Sequence, residues 1–266
     1  MKYMTFNSAC AFAGVANMLT GFGVDVQDRD IALGMKLPYL LAREENTYLA
    51  GPMLQSSDWF NLYLHSIGFE MREQFVPREE VPGMLAGEKT AMLGIRVSPR
   101  DKHAVVYTGK EGNDFRFLNN KWAHTDEPGT FLFTPQELLS RLEETVVIAT
   151  LHPCSTRGVD FAPLLQDAGA ILRELKDKLT DFCATEKTAE EMMRAMNTLF
   201  RPMLLDGITM LELIGQDALA GKLHQVQREF LSAIRAGKPV VLAEVMQMDV
   251  LMQAMNDYIT LIQGEL

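Results

Sequence analysis

The N-terminal segment of the chain reads Asn7-Ser8-Ala9-Cys10-Ala11-Phe12-Ala13-Gly14-Val15-Ala16-Asn17-Met18-Leu19. Its apolar side chains recur at the spacing of one helix face, on Phe12, Val15, Ala16 and Leu19. Asn7 or Ser8 can cap this helix, because either side chain can accept a hydrogen bond from the first-turn amides. Cys10 then lies in the first turn, where the positive end of the helix dipole favours the thiolate. A buried cysteine that only helps the helix to pack is the competing interpretation.

The composition is that of an ordinary globular protein. Of the 266 residues, 47% are hydrophobic and 23% are charged, and the formal net charge at pH 7 is -10. An acidic chain without a basic face is not expected to bind nucleic acid or an anionic membrane surface. The sequence shows neither a signal-peptide pattern nor an apolar run of about 18 residues that would span a membrane. We therefore expect a soluble cytoplasmic protein.

The three cysteines, Cys10, Cys154 and Cys183, lie far apart in the sequence. None belongs to a Cys-x-x-Cys pair, so the sequence predicts neither a zinc knuckle nor a thioredoxin-like motif. A sparse, odd number of cysteines is typical of a reducing compartment. We expect no metal ion and no organic cofactor. A metal site built from His124, His152 and Cys154 has no recurring ligand spacing to support it.

Residues 1–153 alternate between helical and strand patterns. After the Cys10 helix, helices are predicted at about residues 28–34, 57–67, 78–85 and 134–142. Strand patterns occur at 69–75, 91–97, 103–108, 115–118, 131–133 and 146–151. The segment 35–52 is broken by Pro38, Gly51 and Pro52 and is predicted as a loop with at most one short strand. We therefore predict an α+β domain with an antiparallel sheet over residues 1–153.

The second part of the chain shows helical patterns alone. Four helices are predicted over 160–183, 186–204, 206–235 and 239–263, which makes residues 157–266 an all-α bundle. Capping patterns begin two of the predicted helices of the chain, at Thr134-Pro135-Gln136-Glu137 and at Thr188-Ala189-Glu190-Glu191. Many of the 17 methionines lie in this part. They are interpreted either as flexible core filling or as an exposed face for a partner protein or a second copy.

Two polar residues fall at the outer ends of a predicted hairpin. His103 begins one strand, and Asn119 ends the strand that returns. Antiparallel strands joined by a short loop bring their outer ends together. An asparagine carbonyl can hold one imidazole nitrogen so that the other nitrogen faces a nucleophile. Together with Cys10 on a helix N-terminus, the pair predicts a nucleophile, a base and an orienting amide. Each residue also has a simpler interpretation when it is taken singly. His103 is then a surface histidine that precedes a strand, and Asn119 with Asn120 is an ordinary pair of turn residues.

This layout resembles the papain superfamily, and most of all its compact branch related to bacteriocin-processing peptidases. In that branch a cysteine opens a helix of the form D-C-G-x-A-x-L-x-M-L, and H-x-V-V-V-x-G, a hairpin and an aspartate follow. The chain reads A-C-A-F-A-G-V-A-N-M-L at 9–19, G-F-G-V-D-V at 21–26, H-A-V-V-Y-T-G at 103–109 and F-R-F-L-N-N at 115–120. The resemblance covers roughly residues 4–151. The helix phrase is also similar to the N-terminal domain of butirosin-biosynthesis acyltransferases, which pass an acyl group to an amine.

Three positions depart from the family pattern. The glutamine that the family places six residues before the cysteine, as an oxyanion donor, is Met4 here. Asn7, three residues before the cysteine, is the candidate substitute donor, together with the Cys10 amide. The glycine that usually follows the cysteine is Ala11, and the orienting residue is Asn119 instead of aspartate. Papain-like enzymes themselves use asparagine at that last position.

The resemblance implies thiol chemistry on a peptide, amide or thioester carbonyl, with water or an amine as the final acceptor. Cys10 would be the nucleophile, His103 the base and Asn119 the residue that orients His103. The implied partner is a peptide or acyl-donor substrate, in a bacterial cytoplasm. The alternative is a catalytically inactive papain-like scaffold whose helical domain binds a protein partner or self-associates into a homo-oligomer.

Overall fold

The computed structural model describes residues 1–6, 9–97 and 102–266. The chain divides into two compact units. The first comprises Met1–Met35 and Gln55–Val159, and the second comprises Lys36–Leu54 and Asp160–Leu266. This division differs from the predicted limits at residues 153 and 157 in two respects, of which the smaller is that the border lies between Val159 and Asp160. The segment 36–54, which the sequence analysis placed in the first domain, packs with the helical part of the chain.

The helices and strands of the described residues follow in chain order. The helices are α1 (Cys10–Gly21), α2 (Asp28–Gly34), α3 (Ser57–Leu64), α4 (Val81–Gly87), α5 (Pro135–Arg141), α6 (Ala162–Cys183), α7 (Ala189–Ala195), α8 (Ile208–Leu213), α9 (Asp217–Ala236), α10 (Leu242–Val245) and α11 (Met248–Gln263). The strands are β1 (Leu41–Glu44), β2 (Thr47–Ala50), β3 (Phe69–Pro77), β4 (Ala91–Arg96), β5 (Lys102–Glu111), β6 (Asp114–Asn119), β7 (Thr130–Phe133), β8 (Thr145–Pro153), β9 (Glu186–Lys187) and β10 (Val240–Val241). Short 3-10 turns cover Leu37–Tyr39, Gly51–Met53, His65–Ile67 and Arg78–Glu80.

The first unit is built on a six-stranded sheet in the order β3-β8-β4-β5-β6-β7. Every neighbouring pair in it is antiparallel. This sheet and the helices beside it confirm the predicted α+β class. The register between β5 and β6 begins where Val105 faces Asn119, at the end of β6. The start of β5 therefore extends beyond its neighbour, and this is the edge where the polar residues of the predicted site lie.

The apolar alternation of the strands produces a core on one face of the sheet. Its buried residues include Leu93, Ile95, Val105, Tyr107, Phe115, Phe117, Val146 and Ile148. The helices α4 and α5 add Val81, Leu85 and Leu138 to the same cluster, and Leu142, directly after α5, also belongs to it. Helix α1 packs against β5 and β4, and its face Phe12, Val15, Ala16 and Leu19 is fully buried, as the helical periodicity predicts.

Helix α1 begins at Cys10, which is one residue later than a Ser8 cap requires and two residues later than an Asn7 cap requires. Ala9 occupies the N-cap position, so the helix has no capping side chain there. The prediction that Asn7 or Ser8 forms the N-cap is therefore wrong, and both residues lie outside the described part of the chain. The capping boxes at Thr134 and Thr188 are confirmed, since each hydroxyl accepts a hydrogen bond from the amide three residues on. None of the helices within 1–6, 9–97 and 102–266 has the length and apolar character to cross a membrane.

The second unit is mainly helical. Helix α11 packs against α6 and α9. The stacked rings of Phe200 and Phe230 are buried in the interior of the unit, with 4.0 Å between their centroids. The buried hydroxyl of Tyr258 donates to the carbonyl of Pro38 at 2.5 Å. The hairpin β1–β2 belongs to this unit, so the segment predicted as a loop with at most one strand in fact contains two.

The predicted helices of this unit are interrupted at several places, including a break between α10 and α11 inside the predicted helix 239–263. Two π-helical turns, Met196–Phe200 and Pro202–Gly207, follow α7, because Pro202 has no amide to donate to the helical ladder. The expected helix over 206–235 ends at Leu213 and resumes at Asp217, since Gly215 adopts φ +73°. The two-residue strands β9 and β10 pair with each other and not with the six-stranded sheet.

Candidate active site

Cys10 is the first residue of helix α1 and is partly exposed. Burial raises the pKa of its thiol, but a hydrogen bond with His103, the amide of Ala104, the charge of His103 and the amide of Cys10 itself all lower it. Their sum holds the Cys10 pKa below the ordinary value of a cysteine. The α1 dipole acts in the same direction, because its positive end lies at the first turn. Cys10 is thus a cysteine whose surroundings favour the thiolate.

His103 lies near the start of β5 and interacts with both Cys10 and Asn119. Burial on its own lowers the pKa of the imidazole. The hydrogen bonds with Cys10 and Asn119, the thiolate charge and the Glu127 carboxylate oppose burial, and they raise the His103 pKa above its ordinary value. With the thiol pKa lowered and the imidazole pKa raised, the pair favours a thiolate beside an imidazolium.

Asn119 ends β6 and is only 2% exposed. Its Oδ1 lies 2.7 Å from Nε2 of His103, and its Nδ2 donates to the carbonyl of Pro128 at 2.8 Å. Only the amide nitrogen can donate to a carbonyl, so the oxygen of Asn119 must face His103 as an acceptor. Nε2 therefore carries a hydrogen, and Nδ1 is the ring nitrogen left to face Cys10.

Met4 and Asn7 are the two positions considered above for a side chain that donates to the oxyanion. Met4 is half-buried, its amide donates to the carbonyl of Lys121 at 2.9 Å, and its thioether has no hydrogen to give an oxyanion. Asn7 lies outside the described residues, so its predicted role stays a prediction. The Cys10 amide is at the first turn of a helix without a side-chain cap. Amides of a first turn have no partner within their own helix, so this one can serve a developing oxyanion.

A cavity of about 490 Å³ adjoins the His103–Asn119 pair. Its wall includes the rings of Trp122, Phe131 and Phe133 and the side chain of Glu127. Polar or charged residues and apolar residues line it in equal number, and a concave site that combines apolar walls with convergent polar groups can bind a small molecule or a side chain. The loop that forms one wall is held by Lys121, whose ammonium donates to the carbonyls of Thr125 and Glu127, each at 2.6 Å.

Four residues near this site were not singled out as functional from the sequence. Asn120 is fully buried and bonds to Asn17 on α1 and to Ala104 on β5. Ala104 contributes an amide to Cys10, and Glu127 acts on His103 through its charge. The only sequence signal for Asn17 is its place on the Cys10 helix, two turns further along. The contribution of Ala104 has no sequence signal, since it comes from the main chain.

The other two cysteines are unlike Cys10. Cys183 is buried in α6, and burial raises its pKa to about 12. Cys154 is exposed after the end of β8. Among the described residues, no group of three or more His, Cys, Asp or Glu side chains is placed to hold a metal ion. His124, His152 and Cys154, considered above as ligands, thus do not form such a group.

Comparison with known proteins returns structural matches only. No family model and no curated protein matches the sequence. The peptidase domain of Streptococcus ComA, a bifunctional ABC transporter involved in a quorum-sensing pathway, is 12% identical with a TM-score of 0.38, and the match covers 57% of this chain and 96% of that domain. The Pseudomonas avirulence protein AvrPphB is 15% identical with a TM-score of 0.25 over 38% of this chain. The match spans 61% of the AvrPphB chain.

Proposed function

We propose that the chain is a papain-like thiol enzyme that acts on a peptide, amide or thioester carbonyl and passes the acyl group to water or to an amine. The observation that supports this best is the hydrogen-bond chain from Cys10 through His103 to Asn119. It brings together a nucleophile, a base and an orienting amide, as covalent catalysis by a thiol requires. The order of the three residues along the chain agrees with the papain-like pattern.

In the first half-reaction the Cys10 thiolate attacks the substrate carbonyl carbon. A carbon–sulfur bond forms, and the carbonyl electron pair moves to the oxygen, which the Cys10 amide stabilises. The imidazolium of His103 gives its Nδ1 proton to the departing amine or thiol as the carbon–nitrogen or carbon–sulfur bond of the substrate breaks. The products are an acyl–Cys10 thioester, a neutral His103 and the free leaving group.

In the second half-reaction neutral His103 acts as a base. Its Nδ1 takes a proton from water or from an amine while the oxygen or nitrogen of that acceptor attacks the thioester carbonyl. The carbon–sulfur bond then breaks, and the electron pair returns to sulfur. The thiolate of Cys10 and the imidazolium of His103 are restored, and the product is an acid or a new amide. Asn119 keeps Nδ1 directed at Cys10 throughout, because it holds Nε2.

One observation favours the alternative of a catalytically inactive scaffold. Met4 stands where the resemblance places a donor to the oxyanion, and its side chain cannot donate. Loss of one such donor costs about 3–4 kcal/mol of transition-state stabilisation. In this second candidate, the helical part of the chain would carry the function by binding a protein partner or a second copy. A catalytically inactive site has no need of a lowered Cys10 pKa. The enzyme is therefore our first proposal.

The deciding experiment looks for acyl–Cys10. The full chain is mixed with peptidyl coumarin amides or with acyl thioesters, each with and without hydroxylamine as the amine acceptor. Mass spectrometry then locates any acyl group on the protein and identifies the released acid or hydroxamate. We expect acyl–Cys10 and turnover in the parent, with the ratio of acid to hydroxamate showing which acceptor is preferred.

Two variants serve as controls. Cys10→Ala should give neither adduct nor turnover. Cys154→Ser removes an exposed thiol that follows β8 and should leave both unchanged. If Cys10 is alkylated readily by iodoacetamide and yet neither substrate class acylates it, the enzyme proposal is wrong and the scaffold is favoured.

A further inference from the structure

Ala104 occupies the point where β5 runs past the end of β6. The last pair between these strands joins Val105 to Asn119, so Ala104 has no β6 residue opposite it. In an antiparallel strand the amide and the carbonyl of one residue point to the same neighbour, because facing residues exchange both hydrogen bonds. Here side chains take the place of the missing strand. The Ala104 carbonyl accepts from Nδ2 of Asn120 at 3.0 Å, and the Ala104 amide, which points to the same side, lowers the pKa of the Cys10 thiol.

The side chain of Asn120 is held from its other end by helix α1. Its Oδ1 accepts from Nδ2 of Asn17 at 3.1 Å, and Asn17 lies two turns after Cys10 on the same helix. Asn17 is itself fixed, since its Oδ1 accepts from the amide of Lys2 at 2.6 Å. Asn120 is 0% exposed, so water cannot replace either bond. It thus links the helix that carries Cys10 to the strand that carries His103.

Gly14 provides the space that this link needs. It lies one turn after Cys10 on α1, and a Cβ atom at this position would come within 2.7 Å of Nδ2 of Asn120, and still closer to the sulfur of Met92 on β4. That is closer than two non-bonded heavy atoms can lie without one of them moving. Nδ2 cannot move away without giving up its bond to the Ala104 carbonyl.

We propose that Asn120 is a positioning residue for Cys10: by holding the Ala104 carbonyl, it fixes the start of β5 so that the Ala104 amide faces the sulfur. The inference rests on the proposed function, since it gives Asn120 a part in preparing the nucleophile. Asn119 orients the base His103, and Asn120 orients the end of β5 beside the nucleophile Cys10. Consecutive residues of a strand point to opposite faces, so each asparagine acts on one partner of the ion pair.

The test measures how the rate of Cys10 alkylation by iodoacetamide depends on pH. The full chain is used in a Cys154→Ser background, and thermal unfolding is recorded for each variant. We expect Asn120→Ala to move the midpoint of the rate profile to higher pH and to slow alkylation at pH 6 by about threefold or more, because the thiolate is the reacting form. Gly14→Ala is made in a Met92→Ala background, with Met92→Ala alone as its reference, so that the new Cβ presses on Nδ2 of Asn120 and not on the Met92 sulfur. It should move the midpoint in the same direction while keeping the Asn120 side chain.

Asn61→Ala is the matched control. Asn61 on α3 also joins a helix to a strand of the first unit, through two hydrogen bonds to the main chain of Met71, at 3.0 and 2.7 Å. We expect its removal to lower the unfolding temperature and leave the midpoint unchanged. The proposal is overturned if folded Asn120→Ala has the midpoint of the parent, or if Asn61→Ala shifts it equally.

Gly14→Ala decides the question by the same criterion if Asn120→Ala does not fold. Failure of this inference is also distinguishable from failure of the proposed function. A parent whose midpoint equals that of free N-acetylcysteine overturns both. A parent with a lowered midpoint that Asn120→Ala and Gly14→Ala leave unaltered overturns the role of Asn120 alone.

Discussion

Asn119 is bonded on both sides of its amide group, and this determines what its removal does. Its oxygen holds Nε2 of His103, and its nitrogen holds the carbonyl of Pro128. Truncation of this buried side chain removes both bonds, and the half-buried His103 loses its acceptor. An unsatisfied buried group costs about 1–3 kcal/mol. A residue at the end of a strand therefore supports both the fold and the site here.

Asn119→Ala should consequently lose about 1–3 kcal/mol of unfolding free energy. It should also slow acyl–Cys10 formation by about tenfold or more, since the base is no longer held in one orientation. Asn119→Asp keeps an acceptor for His103 and should retain more of the rate than alanine does. Urea unfolding and single-turnover acylation measure the two effects. Equal acylation rates in the parent and in Asn119→Ala would remove Asn119 from the site.

The charges around His103 predict a bell-shaped pH profile for acyl transfer. The rate should rise with pH as Cys10 ionises at its lowered pKa, and fall as His103 loses its proton at its raised pKa. Glu127→Gln removes a charge that raises the His103 pKa. We therefore expect the descending limb to move to lower pH, with the ascending limb less affected.

Glu111→Gln is the control for that experiment, because Glu111 ends β5 far along the strand from His103 and pairs with Arg116. It should leave both limbs in place. A descending limb that stays fixed in Glu127→Gln would mean that His103 does not feel the Glu127 charge.

At the scale of elements, the break between α8 and α9 shows how one glycine conformation divides a helical pattern. Gly215 adopts φ +73°, where a residue with a Cβ is strained. Gly221 lies inside α9, and a Cβ built there meets no heavy atom within 4 Å. The same substitution should thus have opposite effects at two positions six residues apart.

Gly215→Ala should lower the unfolding free energy by about 1 kcal/mol, because alanine is strained at positive φ. Gly221→Ala should raise it by about 0.5–1 kcal/mol, the difference in helix propensity between the two residues. Urea denaturation of the two variants and the parent measures both changes. Effects of the same sign would contradict the assigned helix ends.

At the scale of the whole molecule, the second unit takes in a segment from the first half of the sequence. Residues 36–54 pack with 160–266, and the buried Tyr258 hydroxyl bonds to the Pro38 carbonyl. The segment buries Leu37, Leu40, Leu41, Tyr48, Leu49 and Leu54. A cut near residue 157 would therefore separate this segment from the helices with which it forms a core.

A fragment of residues 1–157 should accordingly be cleaved by protease within 36–54, a segment that should be protected in the full chain. The reason is that its apolar side chains lose their packing partners. Cys10, His103 and Asn119 all belong to the first unit. Limited proteolysis with mass spectrometry compares the two forms, and Tyr258→Phe in the full chain should increase cleavage only slightly. Equal protection of 36–54 in the fragment would show that the segment folds without the helices.

Local features of the sequence were sufficient for the elements whose pattern is short-range. The buried face of α1, the capping boxes at Thr134 and Thr188, and the strands β3 to β8 follow from periodicity and from side chains that bond three residues away. The approach of His103 to Asn119 was predictable for the same reason, since one hairpin joins the two strands that carry them.

Only the tertiary structure determined the features that depend on distant residues. The meeting of Cys10 with His103, which the family resemblance implied but no local pattern predicts, requires α1 to pack on β5 across more than ninety residues of sequence. The buried chain from Asn17 through Asn120 to Ala104 joins three separate elements, and no periodic pattern marks it. The packing of residues 36–54 with the helices was likewise not predictable from the sequence, because their apolar side chains would suit either core. Long-range contacts determine which core such a segment joins, and these contacts cannot be deduced from the spacing of residues along the chain.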